Sequence, residues 1–171
     1  DTNNGTVSKL SSAYRIADGT EGASITVTTS ANTKSAHNTY RIQGWHGTTP
    51  PEAGVANSNA GKDPPSLTPS WGSDATLWVE FGETGTGDAW TAASTSYTNL
   101  LTVNSTGGGG ASNASCGSAQ RINTTATENP DAMTNAAASG IMNIFAVRPA
   151  ASGTTFPISL TVTGVAPSTI G

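Results

Sequence analysis

Short runs in which apolar and polar residues alternate recur along the whole chain, and each is bounded by Gly, Asn, Asp, Ser or Pro. The clearest run extends from Ala75 to Gly82. It places Leu77, Val79 and Phe81 on one face and Thr76, Trp78 and Glu80 on the other. This period of two predicts a half-buried central strand with the apolar set facing the core. The stretch that precedes it, from Asp63, contains three prolines and favours an extended connector.

Two similar runs near the start of the sequence flank a turn signal. The first extends from Leu10 to Ala17, and the second, from Ser24 to Ser30, alternates apolar residues with hydroxyl residues. Between them lies Asp18-Gly19, a dipeptide typical of tight turns. The pattern predicts a β-hairpin.

Four further runs and their connections complete the pattern, together with one nearly continuous apolar run. The alternating runs are residues 38–46, 97–103, 118–127 and 156–163. Residues 140–148 are apolar almost throughout, which is typical of a strand covered on both faces in the middle of a sheet. Residues 47–73 form a long connection, which indicates a functional or surface-wrapping loop. The Ala-rich residues 132–138 predict at most one helical turn.

The strand candidates and the lack of a convincing helix predict one all-β domain spanning residues 1–171. The expected architecture is an antiparallel β-sandwich of the jelly-roll or Greek-key type, with an immunoglobulin-like sandwich as the main alternative. Both types build a core from two alternating sheet faces. Loose termini are expected at about residues 1–8 and 164–171.

Composition narrows the classes of function. Charged residues make up 11% of the chain, and the net charge is -4 with a pI near 4.9. Nucleic-acid binding requires clustered positive charge, whereas the 7 Lys and Arg residues are scattered, so no nucleic-acid partner is expected. No apolar run approaches the roughly 18 residues that span a bilayer, so no membrane span is expected. The abundance of Ser, Thr, Asn and Gly is typical of extracellular and viral β-proteins.

Residue types that support catalysis or metal binding are few. The single cysteine, Cys116, has no second thiol, and His37 and His46 lie at opposite ends of one predicted strand. The carboxylates Glu80, Glu83 and Asp88 cluster near one strand end, either as a glycosidase pair or as ordinary solvated charges. Glu83 and Asp88 could also offer oxygen ligands to calcium. The sequence predicts no catalytic residue and no cofactor.

The four tryptophans allow two interpretations. Trp45, Trp71 and Trp90 could stack against sugar rings, because a flat apolar face rimmed by amides and hydroxyls suits a glycan. The preferred interpretation is that they pack, like Trp78, under loops at the rim of the fold. Exposure separates the two interpretations, since a glycan platform must face solvent.

Several segments, taken together and in their order along the chain, resemble bacteriophage virion proteins of the tail, fibre and minor structural classes. The segments are YRIADGTEGASITVTTS (14–30), YRIQGWHGTTPPE (40–52), DPPSLTPSWGSDATLWV (63–79), SYTNLL (96–101), ENP (128–130) and AVRP (146–149). The resemblance implies a capsid decoration, tail-associated or fibre protein on the exterior of the particle. It implies other virion proteins as partners and a homo-oligomer, with a trimer favoured. It carries no catalytic residues.

Members of that family carry a further N-terminal section with apolar strands ahead of the counterpart of Tyr14. In this sequence those strands are missing, removed by processing, or supplied by another chain that completes the sheet across an interface. Three functions follow in order of preference. They are a non-enzymatic virion component, a carbohydrate-binding adhesion module for host glycans, and an exopolysaccharide-cleaving enzyme.

Overall fold

A computed structural model describes residues 2–4, 8–28, 34–105, 113–151 and 159–168. Within these ranges the chain forms antiparallel strands and no helix. In chain order the strands are β1 (Thr2–Asn4), β2 (Ser8–Leu10), β3 (Ser35–Gln43), β4 (Glu52–Ala53), β5 (Asn57–Asn59), β6 (Asp74–Thr84), β7 (Trp90–Ala92), β8 (Thr98–Asn104), β9 (Ser115–Thr125), β10 (Thr134–Asn135), β11 (Gly140–Val147) and β12 (Ser159–Ser168).

A six-stranded sheet forms the centre of the fold, in the order β4-β11-β6-β9-β8, with β5 also paired to β11. β6 pairs with β9 along its whole length, from Asp74 opposite Thr125 to Thr84 opposite Ser115. On its other side β6 pairs with β11, where Val147 lies opposite Leu77. The predicted central position of β6 and the predicted mid-sheet position of β11 are both confirmed.

β6 alternates as predicted but is buried on both faces. One face, here called the Leu77 face, carries Leu77, Val79, Phe81 and Glu83, and the opposite one, the Trp78 face, carries Thr76, Trp78, Glu80, Gly82 and Thr84. The predicted half-burial is wrong, because Thr76 and Glu80 are fully buried. Buried polar side chains require internal hydrogen-bond partners, and both residues find them.

A two-stranded ribbon of β3 and β12 crosses the Leu77 face. Ile42 of β3 packs with Leu77, Val79 and Val147. Further along β3, the Tyr40 ring meets Phe81 edge-on at 6.2 Å between centroids. β3 corresponds to the strand predicted at residues 38–46, although it begins three residues earlier and ends at Gln43.

Loops and the short β7–β10 pair cover the Trp78 face. The proline-containing connector runs extended across it, as predicted, and Leu67 exchanges backbone hydrogen bonds of 2.9 and 3.0 Å with Glu128. Leu67 and Tyr97 pack there with Trp78 and Ile144. A second cluster contains Trp90, Met133 and Met142. The loops and the β7–β10 pair supply the side chains that cover the Trp78 face. The sheet is therefore buried on both faces.

Two local predictions are wrong. The predicted helical turn at residues 132–138 contains β10 instead, and the Asn135 amide donates to the Asp88 carbonyl at 2.7 Å. Asn135 Oδ1 also accepts from the Ala137 backbone at 2.8 Å, a local bond of the kind that competes with helical backbone bonding. The second is the N-terminal hairpin: residues 11–28 form no strand, while Thr29 and Ser30 lie outside the described residues. The expected loose ends stay a prediction, and β1 and the last residues of β12 lie within them.

The antiparallel all-β class is therefore confirmed. The jelly-roll, Greek-key and immunoglobulin-like types of sandwich stay predictions. No helix in the described ranges is long and apolar enough to cross a membrane.

Candidate functional site

An extended segment between β2 and β3 is the most distinctive surface of the molecule. Every residue from 11 to 28, here called the arm, is exposed. Four of its side chains are large and apolar, and they keep a large part of their surface in solvent: Tyr14 57%, Ile16 55%, Ile25 75% and Val27 62%. Scattered exposed apolar residues are common, but four in alternating positions on one exposed segment are not.

The tip of the arm is a fixed turn. Gly19 adopts a φ of 88°, a left-handed conformation that glycine tolerates at no steric cost. The Asp18 carboxylate accepts from the Thr20 backbone at 2.9 Å, and Glu21 accepts from the Asp18 and Gly19 backbone at 2.8 and 3.0 Å. The Thr20 hydroxyl, which also donates to Asp18, and then the Thr20 backbone bond lower the pKa of Asp18. The bond from the Asp18 backbone has the largest effect in lowering the pKa of Glu21. The predicted Asp18-Gly19 turn is therefore present, although the ladder on either side is not.

The two limbs of the arm leave their backbone groups unpaired. Within the described part of the chain, residues 12–28 make no backbone–backbone hydrogen bond. The limbs combine the side-chain pattern of strands with the backbone of unpaired chain. Such a segment can add a strand to the edge of a sheet, where its main chain would bond and its alternate apolar side chains would be buried.

The carboxylates singled out in the sequence do not converge. Glu80 and Glu83 project from opposite faces of β6. Asp88 lies in the following loop, where it accepts from the Thr86 hydroxyl at 2.7 Å. The glycosidase pairing is therefore not formed. Burial raises the pKa of Glu83, against the opposing effect of the Ser8 hydroxyl.

Metal-ligating residues likewise stay apart. Among the described residues, no three His, Cys, Asp or Glu side chains are grouped closely enough to hold a metal ion. Glu83 and Asp88, the calcium candidates, belong to no such group. The His46 ring is engaged locally, with Nδ1 2.9 Å from the Thr49 hydroxyl.

A buried carboxyl cluster on the Trp78 face was not visible in the sequence. Glu80 Oε1 accepts from the Ser94 backbone at 3.0 Å, and the Ser94 hydroxyl bonds Glu80 Oε2 and the Asp131 carbonyl. Burial raises the pKa of Glu80 to about 7, an effect that the Ser94 bonds oppose and that Asp131 and Glu128 reinforce.

The Ser94 hydroxyl lies between two acceptors. It donates to Glu80 Oε2 and to the Asp131 carbonyl, so its single proton is shared between them. The raised pKa of Glu80 comes first from burial, not from these bonds. Because Glu80 is completely buried, this acid cannot reach a substrate in solution, and its role is structural.

The tryptophans divide by burial. Trp90 is 2% exposed, and Trp78 is fully buried. Trp90 is therefore wrong as a glycan platform, because its ring is enclosed against Gly82 and Gly117. Trp71 and Trp45 are half-buried: Trp71 donates to the Thr76 hydroxyl at 2.9 Å, and Trp45 packs against the cluster of Leu77 and Val79.

Cys116 is expected to be unreactive in the folded protein. Burial raises the pKa of its thiol to about 12, and the nearby Glu83 carboxyl adds to the effect. The thiolate is the reactive form, so alkylation at pH 8 is expected to be at least tenfold slower in the folded chain than in urea. The measurement is the rate of iodoacetamide labelling by mass spectrometry. Equal rates in the two states would contradict the buried position.

Comparisons with known proteins identify no relative. No protein-family model, no curated protein and no solved structure matches this chain.

Proposed function

We propose that this protein is a non-enzymatic structural component of a phage particle, a capsid decoration, cement, tail-associated or fibre protein on the exterior surface that binds other virion proteins. The observation that carries the proposal is the arm. Its eighteen consecutive exposed residues include four large apolar side chains that find no cover within the described chain. A segment of this kind has a use in assembly, where a neighbouring protein covers it.

The groups that could perform chemistry support the same proposal. Glu80 is sealed in the core, Cys116 is buried, and the carboxylates near the end of β6 point in different directions. Catalysis requires polar groups that converge on a space open to substrate. Among the described residues, the arm offers an exposed apolar surface, and no set of polar groups converges in this way.

The glycan-binding alternative has lost one of its three candidate residues, since Trp90 is enclosed. Trp45 and Trp71 each have one face packed against the core. Trp45 and Trp71 are therefore not a coplanar, solvent-facing pair that would favour glycan binding. Glycan binding is kept as one outcome of the test below.

The test is to locate the protein on particles. Phage particles that carry the gene are purified, and an antibody raised against the folded domain is used for gold labelling and for quantitative mass spectrometry. The proposal predicts regular labelling of the particle surface at a fixed number of copies. Particles that contain their major structural proteins but lack this chain would contradict it, as would tight binding of the purified chain to one defined sugar on a glycan array.

A further inference from the structure

β9 extends beyond the strand that borders it. β8 pairs with β9 only between Ser115 and Gln120, whereas β6 pairs with it as far as Thr125. Residues 121–125, here called the β9 overhang, therefore have β6 on one side and, among the described residues, no strand on the other. A free strand edge of this kind offers its main-chain groups to another strand.

The direction of those groups follows from their neighbours. The Gln120 carbonyl accepts from the Thr98 hydroxyl at 3.3 Å, so it faces the β8 side. Main-chain groups two residues apart on a strand point the same way, so those of Ile122 and Thr124 also face away from β6. The Asn123 carbonyl, one residue out of phase, accepts from the Trp78 indole of β6 at 3.3 Å. The β9 overhang thus presents two N–H and two C=O groups to a partner.

The side chains of the β9 overhang have an apolar side and a polar side. Ile122 lies on the Leu77 face and is 55% exposed. On the opposite face Arg121 contacts Glu128 at 3.0 Å, and the Asn123 amide donates to the same carboxylate at 3.3 Å. A strand that pairs here is best accommodated if its apolar residues lie beside Ile122 and its hydroxyls beside Asn123 and Thr125.

One limb of the arm fits this description. Residues 24–28 are uncharged and alternate Ile25 and Val27 with Ser24, Thr26 and Thr28. In the pairing that places Ile25 and Val27 on the Leu77 face, three β-branched apolar side chains meet and the hydroxyls line the other side.

The arm of the same chain is poorly placed to fill this edge. β2, from which the arm leaves, has Ser8 near Glu83, at the end of β6 far from Asp74. β3, to which the arm returns, passes over Ser118 before it reaches Leu77, so it too begins toward that end. The β9 overhang lies toward the other end: it begins opposite Trp78, five residues along β6 from Glu83, a distance of roughly 17 Å.

The area of the arm is sufficient for a stable contact with a second copy. An extended chain exposes roughly 1.45 Å² per dalton, so eighteen residues of average mass expose roughly 2,600 Å². Residues 24–28 contribute roughly 700 Å² of that surface, so neighbouring arm residues must add to the contact to reach the ~800 Å² per partner of a standard interface.

We propose that residues 24–28 of one copy pair with the β9 overhang of a second copy as an added strand. Donor and acceptor are different surfaces toward opposite ends of the sheet, so the contact is head-to-tail and closes into a ring or continues as a filament. This inference rests on the proposed function in one respect only, which is that the assembly is located on a phage particle.

The test is sedimentation equilibrium of the purified chain and of two blocked variants. The donor-blocked variant is Ile25→Ser with Val27→Ser, both at positions exposed in the single chain. The acceptor-blocked variant is Thr124→Pro, which removes an N–H that faces away from β6 and is therefore compatible with an edge strand. Ile122→Asp is a second acceptor variant that retains the backbone. The matched control is Val55→Ser, at a residue 87% exposed but outside both surfaces.

The expected result is an oligomer for the native chain and for Val55→Ser, and a monomer for each blocked variant. A mixture of donor-blocked and acceptor-blocked chains is expected to form dimers and nothing larger, since one intact donor then meets one intact acceptor. A native chain that is monomeric at every concentration overturns the proposal, as do blocked variants that keep the native mass. A monomeric chain that nevertheless decorates particles would overturn this pairing and leave the proposed function standing.

Discussion

Replacing Glu80 by Ala is expected to lower the free energy of unfolding by about 3 kcal/mol. Glu80→Gln is expected to keep most of the stability at pH 7 and to remove the part of the pH dependence that Glu80 contributes. Glu80 is completely buried, and its two oxygens bond the backbone and hydroxyl of Ser94. The Ala variant leaves a cavity and deprives Ser94 of its partners. A Gln side chain keeps an acceptor oxygen for the Ser94 backbone, and its amide can donate to Ser94 Oγ while that hydroxyl donates to the Asp131 carbonyl.

The sign of the pH dependence follows from the raised pKa. Burial raises the pKa of Glu80 to about 7 in the folded chain, from the 4.5 that is ordinary for a glutamate carboxyl. Below pH 4.5 both states hold the proton and the contribution of Glu80 is fully present. Between pH 4.5 and 7 the unfolded state releases the proton while the folded state keeps it, so stability falls as the pH rises. The total loss is on the order of 3 kcal/mol.

Urea denaturation between pH 4 and pH 8 measures the effect, and the informative quantity is the difference between the native chain and Glu80→Gln. Other groups face this cluster, namely Asp131, Glu128, Arg121 and Tyr97, and they are common to both proteins. Asp63→Asn is a suitable control, because that carboxyl is exposed at the start of the proline-containing connector. A Gln variant with the native pH slope would show that Glu80 is not the buried acid inferred here.

Gly117→Ala is expected to destabilise the fold by about 3 kcal/mol, at the upper end of the cost of overpacking. A Cβ at Gly117 would lie 2.3 Å from the Trp90 ring, and one at Gly82 would lie 2.2 Å from it. The two glycines are opposite each other in the β6–β9 register. The ring is rigid and almost fully buried, so it cannot move aside without disturbing the cluster of Met133 and Met142.

A double-mutant cycle separates this clash from an effect of glycine on the backbone. Trp90→Ala alone is expected to cost roughly 3–5 kcal/mol, because it removes a buried aromatic side chain. In the double variant the added methyl group meets a cavity, so the combined cost should be smaller than the sum by roughly 1–3 kcal/mol. Gly61→Ala is the control, since its nearest neighbour would be at an ordinary 3.6 Å. Additive costs would contradict the close contact between glycine and ring.

The alternation of residues in β6 predicted its position and the orientation of its side chains, because that information is local. It could not predict that both faces are buried. Glu80 was assigned to a solvated face, and the partners that bury it, Ser94 and Asp131, are 14 and 37 residues away. Gly82 ended the predicted strand as a turn signal, whereas β6 continues through it, because the missing side chain makes room for Trp90.

The arm shows a second limit of prediction from the sequence, which concerns strand pairing. Its alternation predicted two strands, and the turn signal between them was correct. A strand pattern specifies which faces of a segment are apolar but not which strand pairs with it. The hairpin was the nearest pairing in the sequence, and the structure leaves both limbs unpaired within the described residues. The assembly partner that we propose would resolve this disagreement between pattern and structure.

Hydrogen exchange of the arm amides tests the central claim most directly. The account predicts that residues 12–28 exchange rapidly in the dilute single chain and become protected in the assembled form, with the largest change at residues 24–28. Amides of β6, which is paired on both sides, should be protected in both states. Protection of the arm in the single chain, or an arm that exchanges equally fast after assembly, would contradict its role as an assembly surface.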